Sequence, residues 1–259
     1  MPLSSKILWA VSMDTPAEQN SLAQAAHMIK ANVVCIRTSS PLLKDSIAAF
    51  HALNIEVYGW RWPAVVPTDS PPNYSAPNQA DFVASVLIPA GLDGYIVDPE
   101  SDDDDGVNDW QRTDVDTAAL AQSFCKTIKD AAARSGRPFV FGTTSGSTYP
   151  ASKPGIPFSK FFAASDKVYP QTYWRARDRH GNPVDIHGGT PASSMPTGLA
   201  DYGSAGKPVM PMAGEIDCAK ASEIQAYGAL LAQHGIDEGH FYEFNHNVPP
   251  EVLSAIAAL

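Results

Sequence analysis

The sequence predicts an α/β fold, a single (β/α)8 barrel formed by residues 1–259. Three observations carry that expectation. The length, 259 residues, suits one such barrel, which runs to about 250 residues, and is short for two ordinary domains. Short apolar, β-branched runs alternate with amphipathic helical segments along the whole chain. The first strand-to-helix turn, MDTPAEQN at 13–20, holds no glycine, which argues against a doubly wound dinucleotide-binding sheet.

Each element follows in order. Residues 6–14 form an apolar run that closes on a polar residue. The helix 16–31 follows, with Leu22, Ala25, Ala26 and Ile29 on one face and Pro16 in its first turn. NVVCIRT (32–38) is the second strand. The helix 41–53 puts Leu43, Ile47 and Phe50 on one side, and IEVYGWRW (55–62) is the third strand. A Pro-rich loop, 63–77, is long enough to shape a rim, and Asn78 with Asp81 reads as a capping pair for a helix 79–89. DGYIVDPE (93–100) is the fourth strand. The acidic tract 101–109 and a helix from 114 to 135 come next. RPFVFGTTS (137–145), a short helix 157–164 and DKVYPQTYW (166–174) supply the fifth and sixth strands. A polar loop 175–190 leads to a helix near 192–204. KPVMPMAGE (207–215) and HFYEFNH (240–246) are the last two strands, followed by helices 219–234 and 249–258. The strands are almost continuously apolar, as burial of both faces of a parallel sheet requires. This is the TIM-barrel pattern, in which the C-terminal strand ends share one mouth and carry the chemistry.

Composition narrows the function. The chain has 28 acids against 18 bases, a net charge of −10. A nucleic-acid partner is therefore not expected, because phosphate binding needs clustered Lys and Arg. Cys35, Cys125 and Cys218 lie far apart with no Cys/His spacing. They are expected as small buried hydrophobes, with no metal and no cofactor. The tract 101–106 partly matches a D-x-D-x-D-G calcium loop. Ser101 and Arg112 occupy the first and twelfth positions, however, so it reads as a solvated loop. No membrane span is expected, since no run of about 18 apolar residues exists. The segment 1–14 lacks the cleavage site of a secretory signal; the readings left open are a cytoplasmic place, a non-classical export route and a signal already removed. A monomer is expected.

The strand ends define the candidate site. Strand one offers Asp14, strand two Arg37, strand three Trp60, Arg61 and Trp62, and strand four Asp98 and Glu100. Strand six offers Gln171, Tyr173 and Trp174, strand seven Glu215, and strand eight Glu243 and Asn245. Carboxylates and aromatic rings dominate this set. Sugar rings present C–H faces that stack on Trp and hydroxyls that bond carboxylates, so the expected partner is a carbohydrate substrate. Asp98 and Glu100, two apart on one strand, face the same side. Two carboxylates that close repel, which raises one pKa and keeps a proton available near neutrality. The proton is assigned to Glu100, at the strand's end, with Asp98 as its deeper partner.

DGYIVDPE resembles the fourth-strand signature DGxDxDxE of glycoside hydrolase family 18 chitinases, with Asp93, Gly94, Asp98 and Glu100 matching and Ile96 replacing the middle acid. Gln171 and Tyr173 resemble the strand-six Q-x-Y of plant-type members. The D-x-E pair also resembles that of family 25 lysozymes, which carry a strand-one acid where Asp14 stands. The resemblance implies a hydrolase for N-acetylhexosamine glycans such as peptidoglycan or chitin. It makes Glu100 the general acid, Asp98 the group that orients the substrate's acetamido, and Tyr173 a residue that helps bind it. Two alternatives stay open: a retaining glycosidase with Glu100 as acid/base and Glu215 as nucleophile, and a catalytically silent glycan-binding barrel.

Overall fold

The computed structural model describes residues 2–66, 74–101, 108–178 and 180–259. Eight parallel strands form one sheet. They are β1 (Ser5–Ala10), β2 (Val33–Arg37), β3 (Glu56–Arg61), β4 (Gly94–Val97), β5 (Val140–Gly146), β6 (Lys167–Gln171), β9 (Met212–Ala213) and β10 (Glu238–Phe241). Their spatial order is β6-β5-β4-β3-β2-β1-β10-β9. A bridge between Val168 and Val209 joins β6 to the segment before β9 and brings the sheet round into a nearly closed barrel. The predicted fold class is the observed one.

The outer layer holds α1 (Pro16–Ile29), α2 (Leu43–His51), α3 (Ala76–Phe82), α4 (Ile88–Ala90), α5 (Thr117–Ser135), α6 (Tyr149–Ser152), α7 (Phe158–Ala164), α8 (Pro191–Gly203), α9 (Ala221–Gln233) and α10 (Pro250–Ala258). Local chemistry sets their ends. Thr15 and Glu18 form a reciprocal capping box at the start of α1, where Pro16 needs no amide partner. Asp116 accepts from the Ala119 amide to cap α5, and Gly136, at φ 68°, closes it in the left-handed region. The helix expected at 79–89 begins earlier. Ser75 precedes its first turn, so Asn78 lies inside α3 and caps nothing. A π-turn, Val83–Leu87, links α3 to α4.

Side-chain parity separates two cores. Ile7, Trp9, Val33, Cys35, Tyr58, Trp60, Ile96, Tyr169 and Met212 fill the barrel. Their neighbours in sequence, among them Leu8, Val34, Ile36, Val57, Tyr95 and Val97, pack outward against the helices. Glycines make room inside. A Cβ at Gly142 would lie 2.2 Å from the Tyr169 ring, and one at Gly94 would lie 2.8 Å from Tyr58.

Three expectations are corrected. The seventh strand shrinks to two residues, because Pro208 and Pro211 have no amide to donate to a ladder. The sixth ends at Gln171, three residues early. The loop after it carries an antiparallel hairpin, β7 (Arg175–Arg177) and β8 (Pro183–Asp185). Residues 102–107 of the acidic tract and residues 67–73 of the Pro-rich loop lie outside the described residues. Among the described residues, no helix is long and apolar enough to cross a membrane.

Candidate active site

A cavity of about 410 Å³ opens at the C-terminal end of the barrel. Trp9, Trp60, Trp62, Asp98, Glu100, Ser101, Asn108, Thr144, Tyr149, Gln171, Tyr173, Met212 and Tyr242 line it. The strand alternation Gly94, Ile96, Asp98 carries the inward face of β4 beyond its last ladder residue, and Glu100 continues it. Backbone contacts fix this extension. The Asp98 amide donates to the Arg61 carbonyl, and the Trp110 amide donates to the Glu100 carbonyl. Ser145 Oγ donates to the Pro99 carbonyl at 2.7 Å.

Asp98 is buried, and Gln171 Nε2 donates to both of its oxygens at 3.2 Å. Burial pushes its carboxyl well above the ordinary range. The charge of Glu100 and a hydrogen bond between the two side chains push the same way, against the Gln171 amide. The side-chain hydrogen bond to Glu100 places one proton between the two carboxyls. The two titrate as a pair.

The aromatic wall has an internal order. Tyr173 and Tyr242 stack with ring centroids 5.2 Å apart and planes within 9°. Gly214 sits against Tyr173, where a Cβ would come within 2.6 Å of the ring. Trp9 meets Trp60 edge-on at 5.8 Å, and Trp60 leans on Trp62 at 5.3 Å. Trp9 Nε1 donates to His240 Nδ1 at 3.1 Å, and Trp60 Nε1 donates to the Ala10 carbonyl. The indole edges are thereby spent, which leaves ring surface for the cavity.

Of the residues singled out in the sequence, the structure brings Asp98, Glu100, Gln171, Tyr173, Trp60 and Trp62 into this cavity. Arg37 and Arg61 stand beside it with their guanidiniums over the Trp62 ring, at 5.5 and 4.6 Å. Glu215, Glu243 and Asn245 gather at a neighbouring part of the rim. Asn245 Nδ2 donates to Glu243 Oε1 at 3.3 Å, and the Arg177 amide donates to Glu215 Oε2 at 2.9 Å. Burial raises both glutamates' pKa values, and the nearby Asp217 raises them further.

Two residues are not at the mouth. Asp14 is exposed past the end of β1 and bonds Ser12. Trp174 is fully buried on the outer side, with its indole donating to Glu223 and its ring against Tyr227. This follows from alternation: Gln171 and Tyr173 face in, so Trp174, next to Tyr173, faces out. Trp9, Tyr149, Asn108 and Tyr242 were missed. Trp9 and Tyr242 share the inward parity of Ile7 and His240, a signal that the strand-end reading passed over. Cys218 is half-exposed, unlike the buried Cys35 and Cys125.

No family model and no curated protein matches the sequence. Solved structures do resemble the fold. The active domain 2 of a chitinase from Pyrococcus furiosus superposes with a TM-score of 0.59 at 13% identity, covering 99% of this chain and 95% of that one. A glycoside hydrolase family 18 N-acetylglucosaminidase from Paenibacillus barengoltzii gives 0.59 at 12% identity, covering 98% and 99%. The α-galactosidase of Saccharomyces cerevisiae gives 0.60 at 9% identity, covering 98% of this chain and 62% of its own. The architecture is thus the TIM barrel that several glycoside hydrolases share.

Proposed function

We propose that the protein is a glycoside hydrolase acting on a glycan that contains N-acetylhexosamine, of the peptidoglycan or chitin type. The observation that carries this reading is the Asp98–Glu100 pair at the base of an aromatic-walled cavity, with Gln171 and Tyr173 beside it. Its likeness in fold to a chitinase and an N-acetylglucosaminidase supports the same class.

The chemistry follows from the geometry. Glu100 is the half-exposed member and gives its proton to the glycosidic oxygen as the C1–O bond breaks. The substrate's acetamido oxygen takes up the bond to C1, so no second protein nucleophile is required. Asp98, kept next to Glu100 and held by Gln171, orients the acetamido N–H. Its own raised pKa keeps a proton in the pair near neutral pH. Water then adds at C1, and Glu100 accepts its proton. Stacked rings bind the sugar's C–H faces throughout.

The test is release of reducing ends from chitin oligosaccharides and peptidoglycan. Glu100→Gln is expected to lose about 10²- to 10⁴-fold in kcat while melting normally. Full activity in that variant removes Glu100 as the acid. A wild-type chain that binds these glycans without cleaving them is a binding module instead.

A further inference from the structure

A second group of reactive side chains lies at the rim beyond β9. Glu215, Asp217 and Cys218 come from one tight turn, in which the Cys218 amide donates to the Glu215 carbonyl and the Ile216 amide to the Tyr242 carbonyl. Ile216 is fully buried and pins the turn to the core. Each of the three flanking residues brings one ligating atom, and these atoms all lie within 4.8 Å of one another. Glu243 joins from the chain after β10. Asn245 Nδ2 donates both to Glu243 Oε1 and, at 3.1 Å, to Asp217 Oδ2.

The carboxylates are held by one oxygen each. Arg177 Nε donates to Asp217 Oδ2 at 2.8 Å, and the Arg177 amide takes Glu215 Oε2. The Asp217 side chain is only 4% exposed. Its other oxygen, Oδ1, is buried with no hydrogen-bond partner among the described residues. An unpaired buried carboxylate oxygen is costly, and such an atom marks a missing partner. Arg177 offsets one of three carboxylate charges here, with Arg37 acting on Glu243 from further away. Donors that orient one oxygen of a carboxylate and leave the other free are the outer shell of a metal site.

We propose that Glu215, Asp217 and Cys218 bind a divalent cation of borderline softness, with Zn²⁺ the best match. Thiolate with carboxylate oxygen is a donor set suited to zinc. Zinc sits about 2.3 Å from sulfur and about 2.0–2.2 Å from oxygen, so ligand atoms around it lie roughly 3.5 Å apart. The turn has to tighten by about 1.3 Å at most to bring the atoms from 4.8 Å to that spacing. Asp217 would ligate through Oδ1, the oxygen that Arg177 and Asn245 leave unused, and Glu243 or water would complete the shell. Cys218 loses its thiol proton to solvent on binding.

Chelator-treated full-length protein is titrated with Zn²⁺ by calorimetry, and with Co²⁺ by absorption. One saturable equivalent is expected, with a thiolate-to-cobalt charge-transfer band in the near ultraviolet. Cys218→Ser should abolish that band and weaken Zn²⁺ binding at least about tenfold, and Asp217→Asn should weaken it comparably. If Asp217→Asn fails to fold, Glu215→Gln takes its place with the same expectation. Absence of a saturable equivalent in the wild type overturns the proposal. So does an unchanged cobalt spectrum and affinity in Cys218→Ser, which would put the ion elsewhere.

Discussion

The barrel buries titratable groups at both ends, and it treats them in opposite ways. At the N-terminal end, Glu238 accepts from Lys167 Nζ and bonds His240 Nε2 at 2.9 Å, while His240 Nδ1 accepts from Trp9. Burial alone would raise the Glu238 pKa. The hydrogen bond from His240, with the hydrogen bond and charge of Lys167, overcomes that and holds it down at about 2. Lys6 at the same end donates to the carbonyls of Ile29 and Ile256, the last turns of α1 and α10. At the C-terminal end, Asp98 has another carboxylate beside it, an amide in place of a cation, and a pKa pushed up. Complementary pairing makes the lower cluster stabilising. Like-charge pairing makes the upper one a cost to folding.

Removing groups from each end separates these roles. The largest effect expected is on turnover: Glu100→Gln loses about 10²- to 10⁴-fold in kcat, with little change in melting temperature. Glu238→Ala should do the reverse. It strands Lys167 and His240 in the barrel and is expected to lower stability by about 3–5 kcal/mol in urea unfolding. The pH signature is specific. A depressed Glu238 pKa contributes stability above the ordinary carboxylate range, and that contribution is lost as pH falls from about 4.5 towards 2. The variant's stability should therefore fall less steeply with acid over that window. A variant as acid-sensitive as the wild type would break the comparison.

Asp98→Asn tests the upper cluster by a gain. A carboxyl whose folded pKa is raised costs stability once pH climbs past its ordinary value, so the amide should raise the melting temperature at neutral pH, by about 2–4 °C. The alkaline limb of kcat/KM should move to lower pH, because Glu100 loses the like charge beside it. A destabilised variant would mean that Asp98 is paired better than its contacts indicate. The smallest effect is expected on the surface. Lys126 and Asp130 form an exposed ion pair one helical turn apart on α5, and Lys126→Ala should change stability by less than about 0.5 kcal/mol.

The sequence made the upper cluster legible and concealed the lower one. Asp98 and Glu100 stand two apart at the end of an apolar run, so strand parity alone aligns them. Trp60 and Trp62 follow the same rule on β3. Trp174 was grouped with the strand-six end, but the same alternation sends it outward: it stands next to the inward Tyr173 and reaches Glu223. The rule has no hold where the backbone is not a strand. Asp14 was assigned to a strand that ends at Ala10. The hairpin β7–β8 was missed because its strands are three residues long and carry charge. Its turn is set by Asp178, whose carboxylate accepts the amides of His180 and Asn182. Glu238 and His240 gave no warning, because polar groups two apart look the same in a solvent-facing strand. Only closure of the barrel puts Lys167 opposite them.

The shortened seventh strand has a consequence for how the molecule breathes. β9 pairs with β10 through two residues, and the other side of the seam rests on the Val168 amide to Pro208 and the Met210 amide to Val168. On the opposite wall, β2 and β3 are matched over five residues. Amide hydrogen exchange should therefore be fastest across the β6–β9 seam and slowest along β2 and β3. Local opening at that seam would loosen Tyr173, Gly214 and the Glu215–Cys218 turn together. The mouth of the barrel would then loosen on one side only, while its far wall stays folded.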